Sequence, residues 1–387
     1  QRMKRLSYCV GALALVLVAA CGGDDDGAAT DDATAPATGD ATVDESTDAS
    51  AEPTADTGDT GASDERPFEG RELNVTSWGG SWTDATREFY TDPFSEETGV
   101  TVNFLETGGD QTAFVLLQAQ QGNMTVDLMD GSDSGQLLLQ ELLQEYPEDL
   151  QALMAETSRP EYVDPHYLGF GNAATLVVCN PNIVEVCPTT PAEFWDVENF
   201  PGSRAMTASY DSVMTLALLA DGVPAEELFP LDVDRAVAKL EEIRPHVDVW
   251  TESGAQQVQV MADEEVGISY MWSGRANEVQ RDYIPEVQMA WDAATMGYGN
   301  GYLVPVGAPN ADIAFELIRW IVEHPEAQAQ WTVATMYETP TLELPDLVPP
   351  EVVANLPGEF QVAEVPSDAL AAQAEELQIA WQQFITG

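Results

Sequence analysis

From about residue 71 onward, the spacing of apolar positions switches repeatedly between the strand period and the helix period. Short apolar runs bounded by Gly, Pro, Asn or Asp predict buried strands, and longer stretches with an apolar face predict helices. The predicted strands are residues 73–77, 100–105, 126–129, 173–179, 266–271, 287–291 and 301–305. The predicted helices are residues 82–98, 112–121, 136–144, 232–243, 254–262 and 311–323. This alternation is typical of an α/β fold with largely parallel sheets.

Glycine-containing loops follow four of the predicted strands, at residues 78–82, 130–135, 272–275 and 297–301. In α/β folds, ligands bind beyond the carboxyl ends of strands, where loops leave the sheet. One such loop is explained by a simple turn, but four of them, three with an aromatic residue, favour a common cleft. A globular part of roughly 320 residues favours two lobes over a single core.

The first residues have the composition of an export signal. Arg2, Lys4 and Arg5 precede an apolar run over residues 6–20, which is too short to span a bilayer comfortably but fits a signal-peptide core. The run ends "VAACG", which resembles the bacterial lipobox. That resemblance implies that Cys21 carries a lipid and becomes the mature N-terminus. The alternative is an ordinary signal peptide with an incidental cysteine.

Residues 22–66 consist mainly of Asp, Ala, Thr, Gly and Ser, with 14 acidic residues and no apolar periodicity. Such a segment cannot bury enough apolar surface to offset its conformational entropy. We therefore expect a disordered, self-repelling tether between a membrane anchor and a globular part that begins near residue 67.

The whole chain is strongly acidic, with 67 Asp and Glu against 14 Lys and Arg, for a net charge of -53. No basic stripe exists, so binding of nucleic acid is excluded. A field of this sign favours cationic partners. Because the acidic residues are spread along the entire chain, a general surface adaptation, for example to high salt, explains them better than tuning for one ligand.

Two cysteines, Cys179 and Cys187, lie in the globular part, in "VVCNPNIVEVCP". Export permits a disulfide, and the intervening Asn-Pro-Asn is a turn sequence, so we expect these two residues to pair. Zinc binding is the weaker alternative, since no histidine lies nearby.

No motif indicates catalysis or a bound metal. "DGSDSGQLLLQE", residues 130–141, has the spacing of a calcium-binding EF-hand loop, but a predicted strand precedes it where a helix is required. In "GSDSG", Asp133 occupies the place of a nucleophilic serine. The three histidines are far apart. We therefore expect no metal, no cofactor and no enzymatic activity, with an extracellular enzyme as a remote alternative.

Several blocks together resemble the solute-binding proteins of bacterial ABC importers: "SWGGSW", "FYTDPFSEETGVTVNF", "GISYMWSGRANEVQ", "YGNGYLVPVGAPNADIAFELIRWIVEHPEAQAQ" and "YETPT". They occur in order over residues 71–345. The resemblance is greatest to the branch that binds spermidine and putrescine. It implies a two-lobed, periplasmic-binding-protein-like (type II) α/β fold, a ligand in the cleft between the lobes, and closure that presents the loaded protein to a permease.

The resemblance also implies aromatic walls for the ligand. Polyamine binders place aromatic rings against the alkyl chain of the ligand, and Trp78, Trp272 and Tyr298 match those positions. Aromatic faces attract alkylammonium groups by about 0.5–2 kcal/mol each. Gly79 lets the backbone approach the ligand closely.

The chain departs from the polyamine pattern where carboxylates are expected. Asn300, Ser209 and Ser212 stand at those positions, and Asp211, Asp133 and Glu338 are the candidates to replace them. Arg275 beside Trp272 is suited to a carboxylate. The alternative ligand is therefore zwitterionic, such as an amino acid or γ-aminobutyrate. The alternative for Arg275 is a structural role, in which its guanidinium bonds helix ends or a carboxylate between the lobes.

Together these observations predict a lipid-anchored, extracytoplasmic receptor on the outer face of the cytoplasmic membrane or in the periplasm, monomeric, that delivers a small amine-bearing solute to an ABC permease. The predicted segments are a signal peptide (1–20), the tether (21–66), lobe 1 (67–175 and 296–345) and lobe 2 (176–295 and 346–387). The predicted ligand-binding residues are Trp78, Gly79, Ser81, Ser132, Asp133, Ser209, Asp211, Ser212, Trp272, Arg275, Tyr298, Asn300 and Glu338.

Overall fold

The computed structural model describes residues 66–105, 107, 111–296, 299–360 and 363–387. The strands are β1 (Glu72–Thr76), β2 (Thr101–Leu105), β3 (Met129–Ser132), β4 (Val163–Asp164), β5 (Tyr167–Phe170), β6 (Ala174–Cys179), β7 (Arg204–Thr207), β8 (Val249–Thr251), β9 (Ile268–Trp272), β10 (Gln288–Met296), β11 (Asn300–Leu303) and β12 (Ala363–Glu364). The helices are α1 (Gly80–Thr86), α2 (Asp92–Thr98), α3 (Gln111–Gln121), α4 (Asp133–Leu139), α5 (Glu148–Thr157), α6 (Pro191–Trp195), α7 (Tyr210–Ala220), α8 (Val233–Ile243), α9 (Gly254–Ala262), α10 (Ser273–Asp282), α11 (Ala311–Glu323), α12 (Pro325–Thr335), α13 (Leu344–Leu347), α14 (Pro350–Val353) and α15 (Ser367–Thr386).

The first lobe is built on a two-stranded sheet, β1-β2, and a four-stranded sheet in the order β3-β11-β5-β4. A single parallel bridge between Val75 and Leu128 links the two sheets. The core of this lobe combines apolar side chains of β1, α1 and α2 with those of α11 and α12, and Trp331 is its largest fully buried side chain. Burial of these aromatic and aliphatic side chains is the main force that holds the lobe together.

The second lobe is built on a six-stranded sheet in the order β12-β10-β6-β9-β7-β8. One face of this sheet is covered by a core that α7, α8 and the C-terminal helix α15 share. The other face packs against α9 and α10. Because both faces are covered, all residues of strand β6 are buried and Thr175 is its one polar side chain.

The chain enters the second lobe along β6 and leaves it along β10, and this explains one correction to the sequence analysis. Strands β6 and β10 pair antiparallel because they run in opposite directions between the lobes. The pairs β6-β9, β3-β11, β5-β11 and β4-β5 are antiparallel as well. The expectation of largely parallel sheets was therefore wrong, whereas the two-lobed α/β class is confirmed. The lobe boundaries stay a prediction.

The third strand and the following helix also differ from the sequence analysis. Residues 126–128 were assigned to the strand, but the amides of Asp127 and Leu128 both bond the Asn74 carbonyl, so the paired ladder begins only at Met129. Helix α4 then starts at Asp133, three residues earlier than predicted. Residues 130–135 and 272–275 are consequently not loops, because strand passes directly into helix at both places.

Candidate functional site

Trp78 and Trp82 lie on either side of a glycine pair that follows β1. Gly79 and Gly80 have φ angles of 76° and 56°, a left-handed conformation that glycine adopts without steric cost. This turn leads directly into α1. As a result Trp78 is half-buried in front of the turn, while Trp82 is 4% exposed in the first turn of the helix.

The indole N–H groups of both tryptophans converge on Asp130, in β3. Trp78 donates to Oδ1 at 3.1 Å, and Trp82 donates to Oδ2 at 2.6 Å. The ring of Trp82 also contacts Phe170 and Trp331, with centroids 5.6 and 4.8 Å away. Trp82 is therefore a core residue of the first lobe, and Trp78 lies at the edge of that core.

Asp130 is 1% exposed and none of the described ion pairs includes it. Burial raises the pKa of its carboxyl to about 8, although the hydrogen bonds from Trp82 and Trp78 act in the opposite direction. Its backbone N–H donates to Thr76 Oγ1 at 3.1 Å, which fixes β3 against β1.

Arg275 lies between the two lobes and is 4% exposed. Its Nη1 donates to the Ser81 hydroxyl and, at 3.1 Å, to Glu278 Oε2. Its Nη2 donates to the Gly79 carbonyl at 3.1 Å. The Ser81 hydroxyl donates in turn to Glu278 at 2.6 Å. Helix α10 of the second lobe is thus tied to the start of α1 in the first, and the charge of Arg275 has an ion-pair partner.

Two glycines make room for the Arg275 guanidinium. A Cβ atom on Gly254 would lie 2.4 Å from Nε, which is closer than real contacts allow. A Cβ atom on Gly80 would lie 3.7 Å from Nη1, in ordinary contact. Gly254 therefore has to be glycine if Arg275 is to keep this position.

Ser132 and Asn300 are neighbours across the first lobe's sheet, since they pair in the β3-β11 ladder. Asn300 donates from Nδ2 to the Gly171 carbonyl at 3.1 Å. Ser132 Oγ accepts the Gly135 N–H at 3.1 Å and thereby caps helix α4. Both side chains therefore have structural partners.

Asp133 connects the first lobe to the C-terminal helix. Its Oδ2 accepts a hydrogen bond from the Ser367 hydroxyl at the start of α15, and its Oδ1 accepts the Ser134 N–H. The pKa of Asp133 is raised by burial, against the hydrogen bond from Ser367. No Lys, Arg or His forms an ion pair with this carboxylate in the part of the chain that the structure describes.

In the second lobe, Ser209, Asp211 and Ser212 lie together at the start of α7. Asp211 Oδ1 accepts the Ser209 hydroxyl at 2.7 Å and the Ser212 N–H at 2.8 Å. Ser212 is buried, and its hydroxyl is 3.4 Å from that of Thr175 in β6. Trp272, which pairs with Thr175 across the β6-β9 ladder, is half-buried.

Glu338 is 7% exposed and its carboxylate already has three partners. Arg159 and Tyr162 donate to Oε2 at 3.1 and 2.8 Å, and the Gly358 N–H donates to Oε1 at 3.1 Å. The nearby Arg159 also lies over the ring of Tyr162, 4.5 Å from its centroid. The charge of Glu338 is therefore matched within the protein.

The remaining predicted residues divide between described and undescribed parts of the chain. Tyr298 and Cys21 lie outside the described residues. Cys179 and Cys187 form a disulfide. The described residues contain no group of three or more His, Cys, Asp or Glu side chains that could hold a metal ion. They also contain no helix that is long and apolar enough to cross a membrane.

Asp130, Glu278 and Ser367 also take part in these contacts and were not predicted from the sequence. A signal existed for two of them. Asp130 is an acidic residue inside an apolar strand sequence, "VDLMDGS", and Glu278 stands three residues after Arg275, on the same face of a helix. Ser367 offered no such signal, because its partner Asp133 lies 234 positions away in the sequence.

Two α/β lobes with polar side chains between them define a binding protein of the two-lobed periplasmic class. The model of the family described as bacterial extracellular solute-binding protein matches residues 90–358, more than half of the chain. The chain therefore belongs to that family of bacterial extracellular solute-binding proteins. The resemblance to ABC-transporter receptors predicted from the sequence is thereby confirmed. The family is a class of binding proteins rather than enzymes.

Known relatives agree with this assignment. The gamma-aminobutyric acid-binding protein of Pseudomonas aeruginosa is 29% identical over 273 residues, 67% of this chain and 74% of the relative. The solved Atu4243-GABA receptor has a TM-score of 0.71 and 26% identity, covering 81% of this chain and 97% of its own. The spermidine/putrescine-binding protein PotD of Streptococcus pneumoniae shares the fold, with a TM-score of 0.59, 18% identity and coverage of 81% and 99%.

Proposed function

We propose that this protein is the receptor of an ABC importer for a small amino-carboxylic acid of the γ-aminobutyrate type. The observation that carries the proposal is the agreement of two independent comparisons. The 29% identical relative is named for γ-aminobutyrate, and so is the 26% identical solved structure. This ligand is the zwitterionic alternative of the sequence analysis, and it replaces a polyamine as the leading candidate.

The charges around the candidate site support a zwitterion. Among the predicted residues, Arg275 carries the single guanidinium, and its Nη atoms lie beside Gly79 and Ser81 of the other lobe. A solute carboxylate that displaced Glu278 from this guanidinium would contact both lobes and favour closure. Among the predicted residues, Asp133 and Asp211 are the carboxylates that no described ion pair includes, and they are the candidates for the solute amine. Trp78 and Trp272 would supply the apolar walls.

A linear polyamine is the second candidate, and one observation favours it. Asp133 lies in the first lobe and Asp211 in the second, so a ligand with an amine at each end would find one carboxylate without an ion pair in each lobe. Against it, Glu338 is already paired with Arg159, and Asp130 is turned toward two indole N–H groups. Fewer carboxylates are therefore available than the sequence analysis assumed.

Calorimetric titration of the exported protein with γ-aminobutyrate, putrescine and spermidine tests the proposal. We expect γ-aminobutyrate to bind, and at 100 times its dissociation constant to stabilise the fold by about 2.7 kcal/mol. Arg275→Ala should weaken this binding by about tenfold or more, since a charged hydrogen-bonding partner is lost. Binding of putrescine in preference to γ-aminobutyrate would establish the second candidate instead.

The membrane anchor and the permease are part of the same proposal. Lipidation of Cys21 would hold the receptor at the outer face of the cytoplasmic membrane, or in the periplasm, next to an ABC permease. Cys21→Ala should release the protein from the membrane fraction while leaving solute binding unchanged. If the variant stays in the membrane fraction, another segment anchors the chain.

A further inference from the structure

The two tryptophans around the glycine pair share one acceptor, and the three side chains differ greatly in how firmly they are held. Asp130 is 1% exposed and Trp82 is 4% exposed. Trp82 also contacts Phe170, Trp331 and Tyr337. The positions of Asp130 and Trp82 are thus fixed by the core. Trp78 is half-buried, and its described polar contact is the 3.1 Å hydrogen bond to Asp130 Oδ1.

Ionisation of the Asp130 carboxyl is energetically unfavourable at this buried position. A buried carboxylate without a cation carries a large desolvation cost, and a neutral side chain could accept an indole N–H without it. The titratable groups that interact electrostatically with Asp130 are Tyr167 in β5 and Tyr302 in β11, and neither is a cation. The local packing therefore gives no reason for an acidic residue here.

We propose that Asp130 is a positioning residue for solute binding, which fixes the Trp78 ring as a wall of the cleft. A ring held in one orientation presents its face to an ammonium group without first having to be ordered. Trp82 fixes the orientation of Asp130, because its indole N–H donates to the second oxygen of the Asp130 side chain. The inference rests on the proposed function, since it assigns Trp78 to the solute.

A double-mutant cycle in the exported protein tests the coupling of Asp130 to Trp78. Asp130→Asn keeps the size of the side chain, but it replaces one of the two oxygens that accept the indole N–H groups with an NH2 group. Trp78→Phe keeps an aromatic face and removes the N–H group. We expect each change to weaken γ-aminobutyrate binding by about tenfold. In the Trp78→Phe background, Asp130→Asn should lower the affinity for γ-aminobutyrate by less than about a further twofold.

Trp272→Phe is the matched control, because Trp272 is an aromatic wall candidate in the other lobe and the described indole donors to Asp130 are Trp78 and Trp82. The losses of binding free energy caused by Trp272→Phe and Asp130→Asn should be additive in the double variant. A purely structural role for Asp130 would instead give additive effects with Trp78→Phe as well. That result would overturn the proposal.

The remaining outcomes separate this inference from the proposed function. If Asp130→Asn binds normally while Trp78→Ala does not, the positioning role is wrong and the proposed site stands. If the wild-type protein binds no γ-aminobutyrate, the proposed function is wrong. Acrylamide quenching of tryptophan fluorescence then decides the positioning role without a solute, since unchanged quenching in Asp130→Asn would contradict it. Should Asp130→Asn fail to fold, wild-type affinity in Trp78→Phe would overturn the proposal.

Discussion

At the scale of single residues, the cleft region of this protein uses few charges, and most of them are satisfied internally. Glu338 is bound by Arg159 and Tyr162, and Arg275 by Glu278 and the first lobe. Asp130 differs, because its partners are two indole N–H groups and its pKa rises to about 8. It should therefore affect the pH dependence of stability.

We expect the free energy of unfolding to fall as the pH rises from about 5 to 8. Between the usual pKa of Asp, 3.8, and the folded-state value of about 8, folded Asp130 holds a proton that the unfolded chain has lost. Raising the pH therefore favours the unfolded state. Asp130→Asn should flatten the decline measured by urea unfolding at fixed salt. Part of the dependence of the unfolding free energy on pH should remain in the variant, because burial also raises the pKa of Asp133. An unchanged slope in the variant would show that Asp130 does not titrate in this range.

Gly254→Ala should weaken solute binding and destabilise the fold. The new Cβ atom would lie 2.4 Å from Arg275 Nε and would displace the guanidinium from Gly79 and Ser81. Displacing the buried guanidinium also separates it from Glu278 and the first lobe. We expect an affinity loss of about tenfold by calorimetry, together with a lower melting temperature. In the Arg275→Ala background the same substitution should leave affinity unchanged, and a further loss there would point to a different cause.

At the scale of elements, local patterns were sufficient for most helices and strands. The apolar runs located β1, β2 and β6 within one or two residues, and helix α11 was predicted with its observed bounds. Helix α4 was placed too late, because its start depends on the Ser132 cap rather than on apolar spacing. Strand direction was wrong, since it depends on how the chain passes between the lobes. The same limit applies to the site. Trp78 was predicted from the family resemblance and Arg275 from its residue type, but the contacts of Asp130 and Ser367 arise from distant segments.

Ser132→Ala should lower the free energy of unfolding by about 1 kcal/mol, because the Gly135 N–H loses its capping oxygen at the start of α4. Ser253 caps α9 in the same way, through the Gln256 N–H, so Ser253→Ala is the matched control and should cost a similar amount. Chemical denaturation of both variants measures the costs. Because the Ser132 hydroxyl is engaged in capping, solute affinity should change by less than about twofold. A large loss of affinity in Ser132→Ala alone would assign this hydroxyl to the solute after all.

At the scale of the whole molecule, the dominant feature is a net charge of -53 on 387 residues, with 14 basic side chains. The described ion pairs at the surface, such as Arg235–Asp221 and Arg71–Asp312, are too few to offset so many carboxylates. Mutual repulsion of the remaining carboxylates destabilises the compact state. Salt should therefore stabilise this protein, although it weakens the surface ion pairs.

Calorimetric melting at increasing NaCl concentration tests this expectation. The screening length falls from about 10 Å at 0.1 M to about 3 Å at 1 M, so most of the repulsion between neighbouring carboxylates is removed within that range. We expect the melting temperature to rise steeply up to about 1 M and more slowly above it. Sucrose at equal osmolality is the control, since it stabilises by exclusion from the surface without screening charge. If sucrose raises the melting temperature as much as NaCl does, then repulsion between carboxylates is not what limits the stability of the fold. If NaCl lowers it, the few surface ion pairs outweigh the repulsion, and the acidic surface has to be explained by the partners it attracts.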